Sequence, residues 1–88
     1  MITIDTHIVI EVKDETVTVQ CPFNNAGPWK VSVEEIGVCE IGEILSTESG
    51  RWDMLRREEL DQLNEEGWKM LEAFLKSKNM RLSDLVFG

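Results

Sequence analysis

The run NEEGWKMLEAFLKSK, residues 64–78, carries the clearest helical signal in the chain. Advancing about 100° per residue from Leu71 places Gly67, Trp68, Phe74 and Leu75 within about 60° of it, on one apolar face. Glu65, Glu66, Lys69, Glu72, Ala73, Lys76 and Ser77 fill the far side. Asn64 suits the N-cap, Glu65 and Glu66 suit the positive end of the helix dipole, and Lys76 and Lys78 suit the negative end. Such a helix needs an apolar surface to lie on.

The first third of the chain supplies that surface. Residues 2–12 alternate as a strand, with Ile2, Ile4, Ile8, Ile10 and Val12 on one face and Thr3, Asp5, His7, Val9, Glu11 and Lys13 on the other. Val17, Val19 and Cys21 share one face of a second strand. Pairing Val12 with Val17, Ile10 with Val19 and Ile8 with Cys21 requires an even-numbered turn. Asp14-Glu15 is a poor type I′ pair because it lacks the glycine that tolerates φ > 0, so the four residues 13–16 are expected to form the loop. Pro22–Pro28 is dense in turn formers, and Trp29, Val31 and Val33 then alternate as a third strand, with Trp29 expected in the core.

Residues 34–45, EEIGVCEIGEIL, read two ways. Ser32 to Glu35 matches a capping box and argues for a helix, whereas Gly37 and Gly42 each cost a helix interior about 1 kcal/mol. A fourth strand near residues 38–45 is the expectation. A loop over residues 46–50 follows, then a helix over Arg51–Gln62 carrying Trp52, Leu55 and Leu60. The apolar tail, residues 79–88, is expected to pack back on the core. Leu63–Val86 loosely resembles the opening helices of helix-turn-helix regulators; this covers less than a third of the chain, and the net charge opposes DNA docking.

The chain therefore reads as one domain over residues 1–88, since 88 residues cannot support two cores. Its class is α+β. An antiparallel β-meander of three strands, or four, packs in two layers against C-terminal helices, divided as 1–33, 34–50 and 51–88. No apolar run is long enough for a membrane span, and the N-terminus lacks the basic region and cleavage site of a signal peptide, so a cytoplasmic location is expected. Cys21 and Cys39 are expected as partly buried thiols, with one disulfide as the alternative.

Charge is the informative feature. The net charge of −8 opposes direct nucleic-acid binding and an anionic membrane surface. It is also unevenly placed. Residues 34–66 hold eleven carboxylates (Glu34, Glu35, Glu40, Glu43, Glu48, Asp53, Glu58, Glu59, Asp61, Glu65 and Glu66) against Arg51, Arg56 and Arg57. Residues 1–33 balance at −2 and residues 67–88 at +2, so the middle third carries a net −8.

Reaction motifs are missing. His7 lies two residues from Asp5 on one strand face, but a catalytic site also needs a placed nucleophile. Close-spaced zinc ligands and phosphate-binding glycine loops are absent from the sequence, so neither a metal nor a cofactor is expected. Phe23 and Trp52 are expected to be exposed. The expected function is a non-catalytic acidic binding protein. It would occupy the basic groove of a nuclease or other nucleic-acid-handling enzyme, as a DNA mimic of the anti-restriction, anti-CRISPR (phage counter-defence) or immunity type, through the eleven carboxylates and Trp52. The alternative is a homodimerising regulatory or assembly module that meets its copy through the first strand or Trp52.

Overall fold

A computed structural model describes residues 2, 4–24 and 26–87; Thr3 of the first strand, Asn25 of the first loop and Gly88 of the tail lie outside the described residues. The chain runs β1 (Thr6–Lys13), β2 (Thr16–Gln20), β3 (Trp29–Ser32), the one-turn helix α1 (Val33–Ile36), β4 (Ile44–Ser46) and β5 (Asp53–Met54). A 3₁₀ helix over Arg57–Gln62, α2 (Glu65–Ser77) and a 3₁₀ turn over Leu82–Asp84 complete it. The strands form one antiparallel sheet in the order β3-β2-β1-β4-β5. The α+β class expected from the sequence is the class observed, with five strands among the described residues. No helix among these residues is long and apolar enough to cross a membrane.

The hairpin holds its expected register only next to the turn. Val12 faces Val17, but the loop is the two-residue Asp14-Glu15, because Asp14 itself takes the positive φ of 55° that the turn demands. Farther along, a bulge at Ile10 pairs Val9 with Val19 and Ile8 with Gln20, displacing the expected Ile10–Val19 and Ile8–Cys21 pairs. The extra residue swaps the faces beyond it, so that Val9 instead of Ile10 joins Val17 and Val19 while Ile8 turns to the α2 side, both at 0% exposure.

Both faces are therefore covered. On one, Ile8 and Ile44 pack with Leu55, Leu60, Leu71, Leu75 and Leu85 beneath α2. On the other, Val9, Val17, Val19 and Leu45 pack with Cys39, and Val33, Ile36 and Trp52 close over them. Helix α2 follows its sequence closely. Asn64 Oδ1 accepts from Gly67 N at 2.8 Å, and Leu71 and Leu75 are buried. The helix ends in a Schellman closure: Asn79 takes φ 56°, Met80 N donates to Leu75 O at 2.8 Å and Asn79 N to Lys76 O at 3.2 Å.

The middle segment satisfies both of its readings in turn. Ser32 Oγ accepts from Glu34 N at 3.1 Å and starts α1, which Gly37 ends at φ 90° after one turn. The strand comes later than expected, at residues 44–46, where it pairs with the free side of β1. Residues 51–62 are not one helix. A turn closed by Gly50 N to Thr47 O (3.0 Å) sends the chain back along β4 as β5, and Leu55 N extends the ladder to Ile44 O at 2.9 Å. Helical structure begins only at Arg57.

Three aromatic placements differ from expectation. Trp29 is 52% exposed, because β3 is a short edge strand and α1 leaves it too early to cover the ring. Phe23 packs partly buried against the α2-side core, and Trp52 partly buried against the other. The tail packs back as expected. Leu85 is buried, and Val86 N donates to Gly42 O at 2.8 Å.

Candidate functional site

The expected docking carboxylates divide into groups. Glu34 and Glu35 occupy α1, where Glu34 lines a recess with Glu15, Ser32 and Val33, and Glu40 is exposed in the following loop. Helix α1 covers the sheet face opposite α2, so this group stands apart from Glu65 and Glu66 at the start of α2. Glu43 leaves the set altogether. It is only 9% exposed and flanks the buried Cys39 thiol. Burial, with the Glu43 carboxylate as second cause, pushes that thiol from its ordinary 9.0 up to about 11.

The remaining seven carboxylates follow one stretch of chain, residues 48–66. Glu48, Asp53 and Glu59 share a recess with Ser46 and Ser49, formed where β4 turns into β5. Ser49 Oγ hydrogen-bonds Asp53 Oδ2, and Arg51 Nε lies 3.0 Å from Asp53 Oδ1. The 3₁₀ helix then repeats every three residues, so its side chains sort into three rows. Leu60 points into the core, and Arg57, on the same row but exposed, lies over the Phe87 ring at 5.9 Å. Glu58 and Asp61 form a second row, both exposed and spaced about 6 Å along the axis. Glu65 and Glu66 follow at the start of α2, where they line a recess of their own with Asn64 and Lys69, and Glu65 meets Lys69 at 3.6 Å.

Reading residues 51–62 as a helix hid the Ser46–Glu59 recess. The signal that reveals it is the turn-forming run STESG, residues 46–50, which returns the chain against β4. Trp52, expected at the contact, spends most of its ring on the core. Its partner is His7, with centroids 5.4 Å apart, and His7 Nδ1 lies 3.0 Å from Asp5 O. The strand face that His7 shares with Asp5 in the sequence is covered at His7 by Trp52, leaving the imidazole partly buried.

Among the described residues, no three His, Cys, Asp or Glu side chains are grouped to hold a metal ion. Cys21 and Cys39 are unpaired, buried thiols. Comparison of the chain with family models, with curated proteins and with solved structures finds no match.

Proposed function

We propose that this chain is a non-catalytic acidic binding protein that docks on a basic protein surface and competes there with nucleic acid. The observation that carries the reading is the acidic segment from Glu48 to Glu66. Seven carboxylates lie along it against three arginines, of which Arg51 pairs with Asp53 and Arg57 sits over Phe87. Carboxylates held on strand turn, 3₁₀ helix and helix N-terminus keep their spacing, so binding need not first order a flexible chain. A basic groove that releases counterions to DNA phosphates releases them to such a surface for the same reason. The docking set proposed is Glu48, Asp53, Glu58, Glu59, Asp61, Glu65 and Glu66; Glu34, Glu35 and Glu40 belong to a separate patch. The partner class is a nuclease or other nucleic-acid-handling enzyme, as for anti-restriction, anti-CRISPR or immunity proteins. A cytoplasmic setting accords with two unpaired thiols.

The test is displacement of labelled duplex DNA from restriction endonucleases and a CRISPR effector, followed by fluorescence anisotropy. Stoichiometric release at low salt, weakened at high salt and reduced about tenfold or more in the Glu58→Lys, Asp61→Lys, Glu66→Lys variant, is the expected result. If the DNA stays bound to every enzyme at low salt, or the variant competes equally well, the proposal fails.

One observation favours a second reading, a dimerising regulatory module. Strand β3 is a sheet edge beside the half-exposed Trp29 ring. Strand β1, the contact expected from the sequence, lies mid-sheet and offers no edge. Sedimentation as a dimer, lost in Lys30→Pro, whose N–H faces away from β2, would favour this reading over the first.

A further inference from the structure

The Schellman closure at the end of α2 turns the chain back alongside the helix and leaves a groove between them. Trp68, Leu71 and Leu75 from α2 form one wall, and Met80 and Leu82 the other. These are the i, i+3 and i+7 positions of one helical stripe, running about 10 Å along the axis. Leu71 and Leu75, at 1% and 4% exposure, form the floor of the groove, while Trp68 and Met80 are partly buried and Leu82 is 40% exposed at its edge. The groove encloses about 340 Å³, at the small end of the range for small-molecule sites.

Its rim carries the unusual charge. Lys76 and Arg81 both border the groove in a molecule of net −8. Lys76 forms no ion pair among the described residues. Arg81, its side chain 83% exposed, meets Asp84 at 3.8 Å, a surface contact worth little. Both cations stand at the C-terminal end of the stripe. Glu72 borders the groove one helical turn before Lys76 and opposes an anion placed midway along it.

We propose that this groove is a binding site for a small amphipathic carboxylate, its acyl or aryl body along Trp68, Leu75 and Leu82 and its head group between Lys76 and Arg81. The apolar walls favour a hydrocarbon body over a sugar or a nucleotide. The two cations at one end set the polarity of the ligand and select an acid over an alcohol or amine of the same length. Glu72 excludes a dicarboxylate whose second head would lie beside it. The site stands independently of the acidic docking segment.

Nuclear magnetic resonance of the whole protein tests this, with decanoate, decanol and decylamine titrated separately below their aggregation limits. Decanoate is expected to shift the Trp68 indole N–H and the Leu75 and Leu82 methyls, and to bind about tenfold more tightly than decanol. In Lys76→Gln, Arg81→Gln the acid should fall to the affinity of the alcohol, while the affinity for the alcohol and the thermal midpoint stay unchanged. Glu72→Gln should strengthen acid binding. The proposal is overturned if decylamine binds as tightly as decanoate, or if the shifts map elsewhere. It is equally overturned if decanoate causes no shift, or if the groove proves to be filled by a second copy in sedimentation.

Discussion

The imidazole of His7 meets the indole of Trp52 edge to face, with ring centroids 5.4 Å apart and planes 68° from parallel. The pair ties the central strand to the segment that leads into β5, and its indole closes the core cluster around Val9 and Leu45. Truncating Trp52 to alanine removes a large partly buried ring, so a loss of about 2–3 kcal/mol is expected in urea unfolding. His7→Ala should cost less, near 1 kcal/mol, and a double-mutant cycle should return a coupling of about 0.5–1 kcal/mol. An unchanged midpoint in Trp52→Ala would mean that the ring is free, and would restore it as a docking anchor.

Gly42 sits where the loop over the sheet meets the returning tail. Its φ is 97°, and a Cβ built there would come within 2.3 Å of the Asp84 carbonyl oxygen. Its own carbonyl accepts from Val86 N, so the backbone cannot simply swing away. Gly42→Ala should therefore cost at least about 3 kcal/mol, combining strain with the loss of tail docking. Gly50 has a similar φ of 87° but open space around it, and Gly50→Ala should cost only about 1 kcal/mol. Equal losses in thermal unfolding would show that strain alone, rather than the steric contact, decides the matter.

How far the fold could be read depended on how local its causes are. Helix α2 was legible because its periodicity, its Asn64 cap and its charged ends all lie within one stretch of sequence. The hairpin was legible near its turn and illegible beyond Ile10, since a bulge is justified only when both faces of the sheet are covered. What covers the second face is α1, Cys39 and Trp52, and that arrangement is long-range. Strand β5 was missed for a related reason: its two residues gain their pairing from β4, not from their own propensity. For the candidate site, the acidic excess was plain from composition. Its division by the sheet, and the withdrawal of Glu43 into the interior, depend on tertiary placement that no spacing in the sequence encodes.

The Cys39 thiol provides a test of that interior. Burial and the neighbouring Glu43 carboxylate raise it from 9.0 to about 11 in the folded protein. Between those values the unfolded chain has lost a proton that the folded chain still holds, so stability falls as pH rises from 9 to 11 and is unaffected below that window. Lysines titrate nearby, so the informative quantity is the difference from Cys39→Ala. Urea midpoints at either end of the window should fall less in that variant than in the native protein. Modification by iodoacetamide should also be slow at mildly alkaline pH, because the thiolate is the reactive form. Rapid modification of Cys39 under native conditions would contradict the burial.

Gln20 closes β2 opposite Ile8, and its Oε1 is buried without a hydrogen-bond partner. The side chain lies toward α2, bordering a recess with Cys21, Asn24, Met70, Ala73 and Phe74, and the oxygen finds no partner among them. An orphaned polar atom of this kind costs about 1–3 kcal/mol, whereas a methionine of similar length has no such atom to satisfy. Gln20→Met should therefore stabilise the protein by about 1 kcal/mol and raise the thermal midpoint by roughly 4–8 °C. Gln20→Glu should act in the opposite direction, because it places a charge where the neutral oxygen is already unpaired. A lower midpoint in Gln20→Met, read by calorimetry, would mean that the amide is already satisfied in solution by a bound water.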